Sequence, residues 1–319
     1  MKTRLTEKFD LKYPVISAPM AFASGGRLSA AVTGAGGLGL IGGGYGDPDW
    51  LEREFSKAGN ARVGCGLITW KMAGRPEVLD RVLAHKPAAM FLSFGDPAPH
   101  AAKIAAAGVP LICQVQTLRD AKAAADCGAA VIVAQGAEAG GHGERRATMT
   151  LVPEVADWLS AHAPEVLLLA AGGIADGRGL AAALMLGADG VLMGSRFWAS
   201  AEAEVSEAMV EAAIAANGDQ TLRSTVMDMA RGLKWSERYT ARVLQNGFTE
   251  RWHDDLPGLM ADAEAGAEWS RGWAAGDPER ANTFVGEATG LIHDRPPAAE
   301  ILAAVVAQAE ALLRRNWDG

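Results

Sequence analysis

One histidine in the sequence stands among glycines directly after an apolar run. Residues 135–146 read QGAEAGGHGERR and follow the run AAVIVAQ at 129–135. Imidazole titrates near neutral pH, so a histidine placed at the end of a buried strand can accept or donate a proton during catalysis. Glycines let the backbone lie close to a flat ligand because they carry no Cβ. The pattern around His142 therefore fits either an acid–base catalyst or an ordinary loop histidine.

A second group of residues has the types that bind an anion. Gly172 and Gly173 end one apolar run, and Gly194 and Ser195 end the next run along the chain. Backbone N–H groups at glycines approach an anion without a side chain in the way, and a serine hydroxyl adds a donor. Packing alone explains either pair, but both pairs on neighbouring strands favour a phosphate site. Arg196 is open to two interpretations, a phosphate contact or an outward-facing charge.

These residues need strands to position them, and the sequence contains eight apolar runs of strand character. Each run is followed by a glycine-rich or polar break and then by an alanine-rich stretch. Continuous apolar character indicates strands that are buried on both faces, which is typical of a parallel sheet covered by helices. The runs lie at 14–19, 38–43, 62–68, 88–94, 110–115, 129–135, 165–172 and 189–195, and the helix candidates lie at 26–35, 48–58, 76–85, 98–107, 117–127, 149–162 and 177–187.

Eight alternating units predict an α/β fold that closes into a (β/α)8 TIM barrel, with the active site at the carboxyl ends of the strands. Residues 220–295 differ in character, since they are rich in charge and hold four of the nine tryptophans. We therefore predict a barrel made of residues 1–219 and 296–319, with a mainly helical insertion or lid at 220–295. We assign those tryptophans, together with Trp70 and Trp198, to ordinary packing, with the wall of a small apolar pocket as the alternative.

The composition indicates a large folded domain and excludes several other classes. The chain has 319 residues and a formal net charge of -8 without a basic cluster, so nucleic-acid binding has no electrostatic support. The N-terminus lacks the apolar part of a signal peptide, and no apolar run is long enough to span a membrane. Cys65, Cys113 and Cys127 form no CxxC motif, and we interpret them as reduced thiols. No metal site is expected, and we predict a cytoplasmic protein.

Several motifs, taken in their order along the chain, resemble the nitronate monooxygenases, also known as 2-nitropropane dioxygenases. They are SAPMA, VAQGAEAGGHG, AAGGIADGRG, GVLMGSRF and the late segments RVLQNGFTERW and GEATGLI. The resemblance spans about residues 4–295, and the long motif that ends in glycine and histidine is its most specific part. It implies an FMN-dependent enzyme on a TIM barrel with an inserted helical part.

The resemblance also assigns roles to residues of this chain. His142 would be the active-site base, or a hydrogen-bond donor near the reactive part of the flavin. Gly66 and Gln114 depart from the family pattern, because many relatives have Asn at the first position and some have Lys at the second. The implied cofactor-binding residues are Pro19, Met20, Gly66, Gln114, Gln135, Gly140, Gly141, Gly172, Gly173, Leu192, Met193, Gly194 and Ser195.

The implied reaction is the oxidation of alkyl nitronates, and of nitroalkanes if they enter, by O2 to a carbonyl compound and nitrite. Two enzymes with the same fold and motifs remain as alternatives, an NAD(P)H:quinone reductase and an FMN-type enoyl-acyl-carrier-protein reductase. A flavin-binding regulatory barrel is the non-enzymatic alternative. The expected partners are small molecules, with no nucleic acid and no membrane. The oligomeric state stays open, a homodimer included.

Overall fold

Eight parallel strands form the centre of the computed structural model, which describes residues 1–315. They coincide with the eight predicted apolar runs, so the predicted barrel is confirmed, and residues 316–319 of the predicted barrel part lie outside the described residues. The barrel strands are β1 (Val15–Ser17), β2 (Leu40–Gly44), β3 (Gly64–Ile68), β4 (Met90–Ser93), β5 (Leu111–Val115), β6 (Val131–Gln135), β8 (Leu167–Ala171) and β9 (Gly190–Met193); three further strands are β7 (Gly141–Gly143), β10 (Thr221–Ser224) and β11 (Thr240–Leu244).

Helices follow the strands in the alternation that the sequence predicts. Most begin with a capping side chain or with a proline in the first turn. Asp47 precedes Pro48 at the start of α3, and the hydroxyl of Thr117 accepts from the N–H of Asp120 at the start of α6. The helices are α1 (Arg4–Phe9), α2 (Gly26–Gly34), α3 (Pro48–Ala58), α4 (Pro76–Ala84), α5 (Ala98–Ala106), α6 (Leu118–Asp126), α7 (Thr148–His162), α8 (Gly177–Met185), α9 (Ser195–Trp198), α10 (Glu207–Ala215), α11 (Val226–Ala230), α12 (Gly247–Trp252), α13 (Leu256–Ala261), α14 (Ala265–Ala275) and α15 (Ala298–Leu313).

The sheet closes on itself between its first two strands. The strands are hydrogen-bonded in the order β1-β9-β8-β6-β5-β4-β3-β2. The backbone N–H of Ser17 donates to the carbonyl of Leu38 (3.0 Å), and the N–H of Leu38 donates to that of Val15 (3.1 Å). These bonds bring β1 beside the start of β2, so the sheet has no open edge and all eight carboxyl ends face one side.

Successive side chains of each strand enter two different apolar layers. In β4 and β8, for example, Phe91 and Leu169 belong to the barrel interior, while Met90 and Leu168 pack under the outer helices. This division explains the continuous apolar runs, since both faces of each strand are buried. Leu5 and Phe9 of α1 join the interior layer and close the barrel at the end opposite the cavity described below.

Residues after β9 build a second part of the molecule that is not only helical. Strands β10, β11 and β7 form an antiparallel sheet, in which His142 of β7 pairs with Ala241 of β11. The sequence did not predict this sheet, because β7 is a three-residue segment with two glycines. A separate apolar cluster unites this part, and it includes Val210 of α10, which precedes the predicted boundary at residue 219. No helix within residues 1–315 is long and apolar enough to cross a membrane.

The last helix, α15, returns to the barrel and packs on α8. The contact is close at Gly177, because a Cβ there would lie 2.4 Å from the backbone N of Ala309 and 2.5 Å from the carbonyl O of Val305. The N–H of Gly177 also donates to Oε1 of Gln308 at 2.7 Å. The absence of a side chain at residue 177 therefore sets how closely the two helices approach.

We expect Gly177→Ala to lower the free energy of unfolding by about 1–3 kcal/mol, because the new methyl group must push backbone atoms of α15 away. Urea denaturation of the mutant and wild type measures the difference. Gly34→Ala is the matched control, since Gly34 lies near the end of α2 with no atom within 4 Å of an added Cβ. Equal stability of the two mutants would contradict the close packing of α8 and α15.

Candidate active site

A cavity of about 390 Å³ opens at the carboxyl ends of the barrel strands. All eight barrel strands, or the loops directly after them, contribute to its wall, and the second part of the molecule covers it with tryptophans. Its size and its mixture of apolar walls with a few polar groups are typical of a site for a small molecule or cofactor. The predicted residues that line it are Pro19, Met20, Gly66, Gln114, Gln135, Gly140, Gly141, His142, Gly172, Gly173, Leu192, Gly194 and Ser195.

Met193 is the one predicted residue that does not line the cavity. Its neighbour Leu192 faces the barrel interior, so the alternation along β9 turns the side chain of Met193 outward into the layer beneath the helices. The side chain is fully buried there, and Met193 meets the site only through its carbonyl, which accepts from the N–H of Ala18 at 2.9 Å.

The two glycine-rich strand ends lie side by side, as predicted for the phosphate site. Gly172 and Gly173 have φ angles of 101° and 73°, which favour glycine, and they turn the chain sharply after β8. A Cβ on Gly194 would find no atom closer than 3.8 Å and would project into the cavity. The backbone at the end of β9 is therefore open to a ligand, and the hydroxyl of Ser195 accepts from the N–H of Gly286 at 2.9 Å.

Two neighbours of this cradle have structural rather than binding contacts. Asp176 caps α8, since its carboxylate accepts from the N–H of Arg178 at 2.9 Å. Arg196 is buried and donates to Asp294 at 2.7 Å. Its side chain does not line the cavity, so neither of the two sequence interpretations, a phosphate contact or an exposed charge, describes it.

His142 is held by a carboxylate that the sequence reasoning missed. Its Nε2 lies 2.8 Å from Oδ2 of Asp228 on α11, and the two side chains are only 9% and 3% exposed. The other carboxylate oxygen, Oδ1, is buried and has no hydrogen-bond partner among the described residues. Since Nε2 is committed to Asp228, Nδ1 is the ring nitrogen that remains for a ligand. The only signal in the sequence was one acid within the otherwise apolar segment VMDMA.

Aromatic rings fix the plane of the imidazole. The indole of Trp235 stacks on it with 3.5 Å between ring centroids and 8° between planes. Phe94 meets the imidazole edge at 6.0 Å and the indole at 5.1 Å. Phe94 adopts a φ of 60°, which is uncommon for a bulky residue. Such strained backbone conformations are found mainly at functional sites. Trp198, Trp235, Trp269 and Trp273 all line the cavity, so the pocket-wall alternative describes them better than packing alone.

Three glutamines connect the barrel floor to the histidine loop. Oε1 of Gln135 accepts from the side-chain amides of Gln114 (3.0 Å) and Gln116 (2.7 Å). Nε2 of Gln135 then donates to the carbonyl of His142 at 3.2 Å. The chain of amides fixes the orientation of Gln114, a neutral group where some relatives have Lys.

The rest of the loop is clamped at its backbone. The guanidinium groups of Arg223 and Arg242 both donate to the carbonyl of Ala137, at 3.1 and 3.0 Å, and Arg223 also donates to Gly143 at 3.2 Å. Burial lowers the pKa of Arg223 below its usual value, with the nearby charge of Arg242 acting in the same direction. Glu138 accepts from the N–H of Thr148 at 3.0 Å, so it holds the loop by hydrogen bonds.

At two positions of the site, neighbouring protein atoms leave no room for a side chain. A Cβ on Gly66 would lie 2.4 Å from the ring of Pro19, so an asparagine does not fit there without moving that proline. A Cβ on Gly140 would lie 2.5 Å from the backbone of Val285, which passes over the loop. Burial raises the pKa of Cys65, the residue before Gly66 on β3, to about 12, as expected of an unreactive thiol.

Together, these features define the class of protein as a TIM-barrel enzyme with a buried histidine at the cavity. The family model named nitronate monooxygenase matches residues 2–62 and 72–308, and the chain belongs to this family of oxidoreductases. A nitronate monooxygenase from Neurospora crassa is 34% identical over 98% of this chain and 94% of its own. Another, npaC from Metarhizium robertsii, is 36% identical over 94% and 91%.

Solved structures show the same fold. FabK from Thermotoga maritima has a TM-score of 0.85 at 28% identity and is matched over 98% of this chain and 97% of its own. Nitroalkane oxidase from Streptomyces ansochromogenes has a TM-score of 0.78 at 24% identity, with 97% and 99% of the two chains covered. The second likeness concerns the fold alone, and both structures align along almost the whole chain.

We expect Asp228→Ala to lower the free energy of unfolding by about 1–3 kcal/mol, because it leaves the buried Nε2 of His142 without a partner. Urea denaturation at neutral pH measures the loss. Asp157→Ala, on the exposed face of α7, is the matched control and should change stability by no more than about 0.5 kcal/mol. If Asp228→Ala unfolds like the control, the hydrogen bond does not hold the loop.

Proposed function

We propose that the protein is an FMN-dependent oxidoreductase that oxidises alkyl nitronates, and nitroalkanes that enter the same site, with O2 to a carbonyl compound and nitrite. The observation that carries the proposal is the buried His142–Asp228 pair beside a glycine-lined cavity, in a chain of the nitronate monooxygenase family. The relatives from two fungi carry that activity in their names, at 34% and 36% identity.

The cavity suits a flavin with a single phosphate. Gly172, Gly173 and Gly194 place backbone at the cavity wall with little side-chain bulk, and the space beyond Gly194 is the space that a Cβ would fill. We assign the phosphate to this cradle. We assign the flat ring to the floor formed by Pro19 and Met20 and to the loop around Gln135 and Gly141.

The flavin supplies the acceptor for electrons from the nitronate, and the protein supplies binding, orientation and proton transfer. With Nε2–H of His142 donating to Asp228, a neutral imidazole presents Nδ1 as an acceptor, which can take the α-proton of a nitroalkane. Once protonated, Nδ1 becomes a donor to the anionic nitro group. Asp228 stabilises that charged form, and Trp235 keeps the ring in one orientation by stacking on it.

One alternative function has a specific observation in its favour. The FabK structure is 28% identical to this chain along almost its whole length, so an FMN-type enoyl-acyl-carrier-protein reductase remains the second candidate. An NAD(P)H:quinone reductase is a related alternative with the same fold. Both reductases need a nicotinamide donor, whereas the proposed monooxygenase takes its electrons from the nitronate.

Anaerobic mixing separates these candidates. We expect the flavin absorbance of the FMN-loaded protein to bleach on addition of an alkyl nitronate and to stay unchanged with NADH or NADPH. Rapid bleaching by a nicotinamide without bleaching by a nitronate would identify a reductase. A protein that binds no FMN on titration would overturn every flavin-based function.

His142→Ala in the same experiment should leave FMN bound but slow the nitronate-dependent bleaching by about 100-fold or more, the usual contribution of a general acid–base group. His162→Ala is the matched control, since this histidine is exposed at the end of α7. Full activity of His142→Ala would show that the imidazole takes no part in the reaction.

Gly194→Val tests the cofactor site. The Cβ of the new side chain would lie no closer than 3.8 Å to the protein atoms around it and would point into the cavity, so we expect the fold to keep its stability. We expect the Kd for FMN, measured by quenching of flavin fluorescence, to rise at least about tenfold, or 1.4 kcal/mol. Gly34→Ala serves again as the control. Unchanged FMN affinity of Gly194→Val would place the cofactor elsewhere.

A cytoplasmic location completes the proposal, and the oligomeric state, a homodimer included, stays open. Cys65, Cys113 and Cys127 are all free thiols, which agrees with a reducing compartment. Size-exclusion chromatography with light scattering determines the oligomeric state directly.

A further inference from the structure

One cation on the cavity wall has no acidic partner in the part of the chain that the structure describes. Arg231 directly follows α11, and its guanidinium donates to the hydroxyl of Tyr45 at 3.5 Å. Its guanidinium lies over the rings of Tyr45 and Trp269, 5.3 and 5.4 Å from their centroids. A half-buried guanidinium that touches only neutral groups retains most of its capacity to bind an anion.

The other charged groups of the cavity wall are committed to partners. Glu138 accepts from Thr148, and Glu204 pairs with Lys57 at 2.6 Å. Asp228 lies three residues before Arg231 but is hydrogen-bonded to His142. The carboxylates of Glu138, Glu204 and Asp228 are therefore held by other donors, and the guanidinium of Arg231 is left without an ion pair.

Further hydrogen-bond donors gather beside the guanidinium. Burial raises the pKa of Tyr45, so its hydroxyl stays protonated at neutral pH, although Arg231 and Trp235 beside it act in the opposite direction. The indole N–H of Trp235 is buried and lacks a partner with hydrogen-bond geometry, and so does that of Trp70, which packs on it. Buried N–H groups without an acceptor are rare in native proteins, so the N–H of Trp235, which lines the cavity beside Tyr45, is a donor available to a ligand.

This donor group is close to the histidine but separate from it. Trp235 joins the two, because one face of its indole stacks on His142 at 3.5 Å while its N–H lies beside the hydroxyl of Tyr45. Asp228 and Arg231 are three residues apart at one helix end, a spacing that puts their Cβ atoms about 5–6 Å apart on a helix surface. The cradle at Gly172 and Gly194 belongs to β8 and β9, whereas Tyr45 follows β2.

We propose that Arg231, Tyr45 and Trp235 form a subsite for a small planar anion with two oxygens on one atom. A guanidinium fork matches two such oxygens, and the aromatic walls favour a flat group over a hydrated spherical ion. Nitrite and the nitro group of a nitronate both have this chemistry, and their assignment as natural occupants depends on the proposed function.

Calorimetry on the FMN-loaded protein tests the subsite without turnover. Sodium nitrite is titrated into wild type, Arg231→Gln and Arg27→Gln at constant ionic strength. Arg27, exposed in the first turn of α2, is the matched control for loss of one positive charge. We expect nitrite to bind wild type and Arg27→Gln alike and to bind Arg231→Gln at least about tenfold more weakly, as for the loss of a charged hydrogen bond.

Tyr45→Phe provides a second variant that removes only a hydroxyl, and its nitrite affinity should fall about fivefold. The proposal is overturned if wild type does not bind nitrite or if Arg231→Gln binds it equally well. It is also overturned if chloride competes for the site as effectively as nitrite itself, which displacement of labelled nitrite measures. None of these outcomes depends on oxidation of a nitronate, so a failure of the proposed function would leave the calorimetric result unaffected.

Steady-state inhibition then distinguishes the two sources of the anion. Competitive inhibition of nitronate oxidation by nitrite indicates that the nitro group of the entering substrate uses the subsite. Inhibition that is not relieved by excess nitronate indicates that the subsite binds the leaving nitrite after the carbon–nitrogen bond has broken. Both results require Arg231 and support the subsite.

Discussion

The hydrogen bond between His142 and Asp228 joins the two parts of the molecule at the cavity. His142 comes from the loop after a barrel strand, and Asp228 comes from the part of the chain that covers the barrel. The pairing of β7 with β11 places the imidazole opposite α11, so the small sheet and this bond support each other. A histidine loop without that cover would lack the carboxylate, the stacked indole and the arginine clamp. The orientation of the imidazole therefore depends on docking of the second part.

That dependence explains the unusual number of polar groups around a glycine-rich loop. Glycines give the loop room to pass a ligand and the backbone of Val285, but they also leave it without side-chain packing of its own. The structure replaces the missing packing with donors to the loop carbonyls, from Arg223 and Arg242 on one side and from Gln135 on the other. Each clamp is at least half-buried, so it competes with little water. The loop is open toward the cavity and fixed on its remaining sides.

The barrel and the glycine cradle were predictable from the sequence because their signals are local. A strand buried on both faces is a continuous apolar run, and a strand end that binds an anion needs glycines at that end. Asp228 and Arg231 gave no such signal, since their roles arise only where β11 pairs with a three-residue strand almost 100 positions earlier in the chain. Met193 shows what a motif match leaves undetermined. The resemblance assigns the whole segment to the cofactor site, but side chains alternate along β9, so Leu192 faces the site and Met193 does not.

The two departures from the family pattern change the floor of the cavity in different ways. At residue 66 the missing side chain leaves space that the ring of Pro19 fills, so these two positions constrain each other. At residue 114 a neutral amide, held by Gln135, stands where some relatives carry a lysine. The glycine replaces one neutral residue with another, whereas the glutamine leaves the floor of the cavity without the positive charge of a lysine. Charged groups lie elsewhere on the wall, where His142 stacks on Trp235 and the guanidinium of Arg231 lies over Tyr45, the ring next to that indole. We therefore expect an anionic substrate in this cavity to be oriented by His142 and Arg231. Both depend on the part of the chain that covers the barrel, since Asp228 and Arg231 belong to that part.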